Sequence, residues 1–289
     1  MMTDYSSPIQ DMQPVRGIAE AKSLEFLQMR TGRYDADDTS TSAEFLYKHW
    51  LDALEIIRGG LSDGPLRKEH NVKLFVDNDR KFAKLTYNEG SETCMFIFST
   101  ECPKELSSTE FSLVHICTEN VKKVQDSPFQ LTNATRLNAV KYFYTGANSL
   151  RPLPALPKKY RVDVIHQSEV NFIVSKWSLT NNSDKAKRLM KHFISSYPNV
   201  AVYDTTVEPA QPVSWATSSG LGIIYNLQTL KGHQGNGLGT VVVQELTKKL
   251  LTKGVTPIAY IEIGNDASIN LFNKCGYERV GSEGYCFYS

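Results

Sequence analysis

The sequence lacks long hydrophobic runs, an excess of either charge and closely spaced cysteines. No stretch reaches the ~18 consecutive apolar residues of a membrane-spanning helix, so no membrane span is expected. The 32 basic and 31 acidic residues give a formal net charge of +1 without a long basic run, so nucleic acid and anionic membranes are not expected partners. The five cysteines are odd in number and include no CxxC pair, which argues against a disulfide framework and against a zinc site.

The N-terminal residues also lack a recognisable targeting segment. They contain no apolar core of a secretory signal, and the acid Asp4 comes too early for a typical mitochondrial presequence. Unpaired cysteines fit a reducing compartment. We therefore expect a cytoplasmic protein, with a mitochondrial location as the alternative, while the oligomeric state stays open.

Length and composition suggest one large domain or two of ordinary size, since 289 residues can bury a sizeable core either way. Residues 1–42 are polar and turn-rich towards their end, which predicts a weakly structured lead. Residues 149–162 contain three prolines within six positions, and proline is excluded from helix interiors and central strands. We therefore predict an N-terminal domain over 43–150 and a C-terminal domain over 151–289. The alternative is a single domain with a long surface loop.

Hydrophobic periodicity predicts strands before this boundary, and alternating strands and helices after it. Before it, strands are predicted over 72–76, 82–87, 95–99 and 111–116, whereas the run over 137–144 is ambiguous. After it, strands are predicted over 160–165, 200–204, 212–217, 222–230 and 256–263, and helices over 167–177, 184–196, 267–275 and directly after residues 232–240. The pattern is typical of an α+β or mixed α/β fold.

The stretch GHQGNGLGT, residues 232–240, places four glycines between a predicted strand and a predicted helix. It lacks the Lys-Ser/Thr pair of a Walker loop, and its glycines do not fit the GxGxxG register of a dinucleotide-binding loop. Its amides run instead into a helix N-terminus, which can bind a pyrophosphate without metal or lysine. A plain glycine-rich turn is the alternative. The residues predicted to hold the anion are Gln234, Gly235, Asn236, Gly237, Leu238, Gly239 and Thr240.

Two motifs in the C-terminal part resemble those of the GNAT acyltransferase superfamily. Gln234-x-x-Gly237-x-Gly239 resembles its Q/R-x-x-G-x-G/A motif, and NDASINLFNKCGY, residues 265–277, resembles its N-x-x-A/S-x-x-L-Y-x-x-x-G-F segment. LPKKYRVDV, PVSW and TLKGHQGNGL are similar to the glycine N-acyltransferase-like branch. VKLFVDNDRKFAKLTY is a weaker N-terminal match. The resemblance covers roughly residues 45–289.

This resemblance implies a GNAT fold, in which a central mixed and mostly antiparallel sheet has one splayed strand pair and is flanked by helices. Two GNAT-like halves are implied, the N-terminal one degenerate. Acyl-CoA or acetyl-CoA would be the acyl donor, with no metal. The backbone of Leu227, Gln228 and Thr229 would line the pantetheine, and Asn265 would contact the coenzyme, cap a helix, or do both. Residues 151–289 alone are expected to bind coenzyme A but to be less selective for the length of the acyl chain.

Two positions depart from the pattern that the resemblance implies. Ile223 stands where the glycine N-acyltransferase branch has a glutamate base, and Phe272 stands where many superfamily members have a tyrosine acid. Glu262 is the expected replacement base, because a lone carboxylate in an apolar strand would be desolvated. Its alternatives are a partner for a cation and a residue facing water. Tyr225 is expected to position the acceptor or relay a proton, with core packing as its alternative.

Two further side chains near these motifs, His233 and Cys275, carry groups that could take part in proton transfer. His233 is a second candidate base, although a histidine beside a phosphate loop more often contacts the coenzyme or solvent. Cys275 lies near Phe272 in the predicted helix, where a thiol more often packs than reacts.

The most direct interpretation is an acyl-CoA-dependent N-acyltransferase for a small amine, with glycine or another amino acid as the suggested acceptor. One alternative is an acyl-CoA-binding protein of the same fold with impaired catalysis. The other is an acetyltransferase for a different amine or a protein.

Overall fold

The computed structural model describes residues 13–14, 73–76, 82–99, 113–118, 135–145, 153, 155–180 and 183–288. The predicted lead of residues 1–42 lies outside these residues, apart from positions 13–14. Most of the proline-rich segment up to residue 154 also lies outside them.

The described part of the chain consists of one sheet with helices on its faces. The strands are β1 (Gln13–Pro14), β2 (Lys73–Val76), β3 (Phe82–Glu89), β4 (Glu92–Ser99), β5 (Leu113–Thr118), β6 (Thr135–Tyr144), β7 (Tyr160–Asp163), β8 (Asn199–Asp204), β9 (Gln211–Ser218), β10 (Ile223–Thr229), β11 (Ile258–Glu262) and β12 (Tyr277–Tyr288). The helices are α1 (Val170–Ser175), α2 (Asp184–Ser196), α3 (Leu238–Thr252) and α4 (Asp266–Lys274). Short 3₁₀ turns occupy Gln167–Glu169 and Lys231–His233.

The twelve described strands follow the order β1-β2-β3-β4-β5-β12-β6-β11-β10-β9-β8-β7. Neighbouring strands are antiparallel except for β4 with β5 and β10 with β11. From one edge, the order is β1 to β5 of the N-terminal half, then β12, then β6. From the other edge, it is β7 to β11 of the C-terminal half, then β6, then β12. The described strands therefore form two topologically equivalent halves that exchange β6 and β12 at the centre of the sheet.

The two parallel pairs differ in how far they stay together. β4 and β5 pair over six residues, from Cys94 opposite Leu113 to Ser99 opposite Thr118. β10 and β11 pair over two residues only, Ile223 opposite Ile258 and Ile224 opposite Ala259, and then separate. The mixed sheet with a splayed strand pair and flanking helices is the GNAT fold that the sequence predicts.

Each face of the sheet carries its own hydrophobic core. α1 and α2 cover one face, where Phe193, Trp215 and Tyr225 are buried. α3 and α4 cover the other, where Val242 and Leu246 are buried. α3 belongs there because apolar residues at every fourth position form one helical stripe. Full burial of a large apolar side chain contributes about 1.5–3 kcal/mol to the stability of the fold. The cores on both faces therefore hold the strands in place around the point where β10 and β11 separate.

The boundary predicted at residue 150 falls between β6 and β7. β6 pairs with β11 on one side and with β12 on the other, so strands from both predicted domains share one sheet. The division of the chain into domains at this position stays a prediction. Among the described residues, no helix combines the length and apolar character that crossing a membrane requires.

Candidate functional site

A cleft of about 200 Å³ opens where β10 and β11 separate. Residues from both splayed strands line it, together with the segment after α1 and the first turns of α4. The lining residues are Lys176, Trp177, Ser178, Leu179, Ile224, Tyr225, Asn226, Leu227, Gln228, Ala259, Tyr260, Ile261, Glu262, Asn265, Ser268 and Phe272. The predicted Tyr225, Leu227, Gln228, Glu262 and Asn265 are thus brought to one place.

A β-bulge in β10 shapes one wall of the cleft. Tyr225 lies opposite Thr217 and Gln228 opposite Trp215, so β10 has one residue more than β9 between these pairs. Asn226 accommodates the bulge with a φ of 49°, a left-handed conformation that asparagine tolerates better than most residues. A bulge bends the strand and interrupts its ladder. It therefore turns the main chain near Asn226 away from β9.

The strand after the bulge is held by the side chains of β9. Ser214 Oγ lies 3.1 Å from the Gln228 carbonyl and 2.8 Å from Thr229 Oγ1. These contacts fix the predicted pantetheine segment against β9. They give the serine of the PVSW sequence a structural role that spacing alone did not suggest.

The glycine-rich loop follows β10 directly and opens α3. Gly235 and Gly237 have φ values of 80° and 72°, in the left-handed region that favours glycine. Gly237 is the N-cap of α3, and the Val241 amide donates to its carbonyl at 3.1 Å. The earlier amides of the first turn therefore point out of the helix end, as at every helix N-terminus. Such amides, with the helix dipole, can bind an anion.

Side chains of the loop brace it from within. Gln234 Nε2 donates to the Thr229 carbonyl at 3.2 Å, and Asn236 Nδ2 donates to the His233 carbonyl at 3.1 Å. Gly239 is close to α4: a Cβ there would lie 2.8 Å from Leu271 Cδ1. Close packing of α3 against α4 is therefore a reason for glycine at position 239, in addition to the predicted approach to an anion.

His233 has its own partners beside the loop. Its Nδ1 lies 2.9 Å from the Tyr160 hydroxyl and 3.9 Å from Asp204 Oδ2. Hydrogen bonds from Thr206 hold the pKa of Asp204 below its ordinary value. His233 is not among the cleft-lining residues. The contacts join the loop to β7 and β8, which fits a structural or coenzyme-contacting role better than that of a base in the cleft.

Glu262 and Tyr225 both line the cleft, in different surroundings. Glu262 ends β11 and is exposed, so the expected desolvation of this carboxylate is wrong. The reason is its position, because β10 has already turned away and leaves the last residue of β11 uncovered. Tyr225 is 3% exposed, and its ring stacks on Phe193 with centroids 5.2 Å apart. Tyr225 is therefore packed in the hydrophobic core and also in contact with the cleft.

Neither Tyr277 nor Cys275 supplies the proton donor that Phe272 lacks. Phe272 is buried and packs edge-to-face on Tyr277 at 4.9 Å. The Tyr277 hydroxyl lies 2.6 Å from Thr247 Oγ1, whose own proton goes to the Val243 carbonyl. Tyr277 therefore donates to Thr247, and burial raises its pKa. Cys275 is buried as well and does not line the cleft.

Two polar residues of α4 face the cleft from its opposite wall. Asn265 is the N-cap of this helix, its Oδ1 accepting from the Ser268 amide at 3.1 Å. The predicted capping role is confirmed, and Nδ2 is the group left for a ligand. Ser268 lines the cleft one helical turn before Phe272. Sequence reasoning missed it; the i, i+4 spacing from Phe272 was the available signal.

Residues 200–286 match a family model described as FR47-like protein. A Drosophila protein with an X-ray structure is 12% identical in sequence to this chain. The match covers 96% of this chain and 98% of the Drosophila chain, with a TM-score of 0.65. A GCN5-related N-acetyltransferase-like protein from Streptococcus suis is 15% identical over 94% of this chain and 99% of its own, with a TM-score of 0.49. A tandem GNAT protein from the clavulanic acid biosynthesis pathway is 10% identical over 88% and 95%, with a TM-score of 0.47.

The Drosophila structure shares its fold with nearly the whole chain. The FR47-like match covers most of β8 to β12, the part that contains the splayed strands of the cleft and the glycine-rich loop. The fold predicted from the sequence, a mixed sheet with one splayed strand pair, is thus shared with a solved structure over nearly the whole chain. Within the described ranges, no cluster of three or more His, Cys, Asp or Glu side chains is suited to a metal ion.

Proposed function

We propose that this protein is an acyl-CoA-dependent N-acyltransferase that transfers an acyl group to the amine of a small molecule. The observation that carries the proposal is the continuity of β10. One strand leaves its parallel neighbour, lines the cleft past a bulge and runs into the glycine-rich N-terminus of α3. A pyrophosphate at the loop would place the attached pantetheine along Leu227 to Thr229, with its thioester in the cleft.

The cleft has groups for three requirements of amide formation from a thioester. The carbonyl becomes an oxyanion during attack and needs hydrogen-bond donors, which main-chain amides at the bulge can supply. The acceptor ammonium must lose a proton before it attacks. Glu262 at the rim and Tyr225 in the wall are the candidates for that step. Ser268 is in place to donate a hydrogen bond to the leaving thiolate, which takes its proton from water.

An amino acid is the acceptor class that we favour, in keeping with the glycine N-acyltransferase-like resemblance. Lys176 lines the cleft, and its ammonium lies 5.6 Å from the centroid of the Phe172 ring. A cation at the cleft matches the carboxylate of an amino acid whose amine is directed inward. The opposite charge of Glu262 across the cleft would help to orient such a zwitterion.

The N-terminal half is proposed to be a degenerate GNAT-like unit without coenzyme. Its parallel strands, β4 and β5, stay paired along all six residues from Cys94 to Ser99. Over these described residues, the pair has no splay for a pantetheine to enter. One coenzyme site per chain follows.

The second candidate function is an acyl-CoA-binding protein with impaired catalysis. Ile223 and Phe272 are both buried, and neither can exchange a proton. The features for coenzyme binding do not depend on either residue. The two candidates therefore differ in turnover and agree in binding.

Measurements of turnover and of coenzyme A binding distinguish the two candidate functions. Thiol release would be followed with acyl-CoAs from acetyl to long-chain and a pool of amino acids and amines, and coenzyme A affinity by calorimetry. Amine-dependent release supports the transferase. Binding without release supports the second candidate, and absence of both refutes the two together.

A matched pair of loop variants tests the site. Gly235→Val must adopt a φ of 80°, whereas Gly232→Ala has no positive φ and nothing within 4 Å of its Cβ. Left-handed backbone costs a β-branched residue more than the roughly 1–2 kcal/mol typical of other residues. We expect at least about a 10-fold loss of coenzyme affinity in the first, at 1.4 kcal/mol per decade, and none in the second. Equal affinities would exclude the loop as the pyrophosphate site.

A further inference from the structure

A buried polar cluster connects the β3–β4 hairpin of the N-terminal half to the wall of the cleft. Tyr87, Glu89 and Cys94 are each 0% exposed. Tyr87 and Cys94 belong to the same hydrophobic core as Tyr225, the cleft residue on β10. No chemistry was expected from this half of the chain, yet it places a phenol and a carboxylate behind the candidate site.

Tyr87 is the member of the cluster next to Tyr225. Both lie in one buried core, and burial is the main reason that the pKa of the Tyr87 hydroxyl is raised well above its ordinary value. A phenol with a raised pKa stays neutral. A neutral phenol can accept one proton while it passes on its own.

Glu89 continues the same line of groups away from the cleft. It lies two residues after Tyr87 in β3, so both side chains are on the same face of the strand. Glu89 Oε1 accepts from the Gly220 amide at 3.1 Å, and Oε2 lies 3.6 Å from His192 Nε2. The His192 side chain is 24% exposed. The succession Tyr225, Tyr87, Glu89, His192 thus runs from the cleft to the surface.

We propose that Glu89 receives the proton of the acceptor amine through Tyr225 and Tyr87, and so replaces the carboxylate missing at Ile223. This inference rests on the proposed acyltransferase function. Tyr225 would contact the acceptor, and Tyr87 and Glu89 act through it as positioning residues. The N-terminal half then has a role in the reaction although it holds no coenzyme.

The proton balance of the relay closes without another reactant. The ammonium gives a proton to the Tyr225 oxygen, the Tyr225 proton moves to Tyr87, and the Tyr87 proton moves to the Glu89 carboxylate. The neutral amine attacks the thioester carbon, the C–S bond breaks, and the thiolate leaves to be protonated. The nitrogen loses its second proton by the same route once Glu89 has passed the first to His192 and solvent.

The other charged side chains near Glu89 interact elsewhere, which leaves the Glu89 carboxylate to accept the proton from the relay. From β4, Glu92 is buried but bound to Arg188, with Nε and Oε1 2.8 Å apart. From α2, burial lowers the pKa of Lys185, and the charge of Glu92 is the main influence opposing that change. His192 is the titratable group of α2 that lies against Glu89 itself. Glu92 thus provides a matched control, a buried carboxylate of the same hairpin that is neutralised elsewhere.

A competing explanation is that Glu89 only holds the turn after β9 through Gly220. Glu89→Gln separates the two, because its amide oxygen can still accept from Gly220 while it cannot take the proton. We expect kcat at neutral pH to fall about 100-fold, the lower range for general base catalysis, with coenzyme affinity and the amine KM unchanged. The acid limb of the pH–rate profile should change in Glu89→Gln and stay as in wild type in Glu92→Gln.

The acceptor gives the sharpest readout. Methoxyamine is unprotonated at neutral pH and needs no proton removal before attack, so Glu89→Gln should lose far less rate with it than with an ammonium acceptor. Tyr87→Phe should reproduce the selective loss and serves if Glu89→Gln does not fold. Equal losses with both acceptors, or an unchanged pH profile, would overturn the relay while the transferase stands. No amine-dependent release by wild type would instead reject the proposed function itself.

Discussion

At the scale of single residues, the site depends on backbone conformations that few side chains accept. Asn226 is the non-glycine residue with positive φ in the described chain, and it sits inside the bulge of β10. Its Nδ2 reaches the Ile173 carbonyl at 3.5 Å, so α1 supports the bulge from one side. The shape of the cleft wall thus rests on one residue that tolerates the left-handed region.

Asn226→Val is expected to weaken coenzyme binding, whereas Asn226→Gly should preserve it. Valine is β-branched and is strained at a φ of 49°, while glycine adopts it freely. The valine variant should relieve strain by flattening the bulge, with a loss of about 10-fold in affinity for 1–2 kcal/mol. Calorimetric titration with coenzyme A would measure it. Equal affinities for the two variants would show that the bulge is not needed for binding.

Lys176→Gln should raise KM for amino acids more than KM for amines without a carboxylate. An exposed ion pair contributes about 0.2–1 kcal/mol, which corresponds to about a 1.5- to 5-fold change. Lys253→Gln, at the far end of α3, is the matched control. Steady-state kinetics with paired acceptors would measure the effect. A uniform change in KM for both acceptor classes would argue against carboxylate recognition by Lys176.

Residue-level sequence reasoning succeeded where the signal was local. Gly235 and Gly237 have the positive φ that their spacing suggested, and Asn265 caps α4 as its position before the helix indicated. It failed for Asn226 and for the exposure of Glu262. Both depend on the register of β10 against β9 and on where β10 parts from β11, which the side-chain pattern of a single strand does not show.

At the scale of elements, the pattern of burial decides which strands could be predicted. β6 was ambiguous because it lies between β11 and β12 with apolar side chains on both faces. Ala139 and Phe143 belong to one core, and Val140 and Tyr142 to the other. A strand buried on both faces has no polar–apolar alternation to recognise. The helix predicted over 167–177 divides into a 3₁₀ turn and α1, a boundary that periodicity does not resolve.

The difference between the two parallel strand pairs predicts one coenzyme per chain. The β10–β11 pair opens after two residue pairs, while the β4–β5 pair stays closed over six. Calorimetry or native mass spectrometry with coenzyme A should give a stoichiometry of one. The Gly235→Val change should weaken binding at that single site. Two equivalents of coenzyme A in wild type would show a second site.

At the scale of the whole molecule, the exchange of β6 and β12 ties the two halves together. β12 pairs with β5 of the N-terminal half, and β6 pairs with β11 of the C-terminal half. Neither half has a complete sheet without a strand of the other. The β3–β4 hairpin adds a half-buried ion pair with Arg188 and a buried hydrogen bond with Gly220 across the halves. This exchange was invisible in the sequence, since strand order is set by long-range pairing.

The exchange revises the expectation that residues 151–289 alone bind coenzyme A. That fragment lacks β6, so β11 and β12 would lose their shared neighbour and expose unpaired edges that favour aggregation. We expect it to be insoluble or unable to bind when made alone. Co-expression with residues 1–150, which supply β6, should give a one-to-one complex that binds coenzyme A, because the cut falls outside every described strand. Co-purification and calorimetry would measure this, and a soluble 151–289 fragment with full affinity would contradict it.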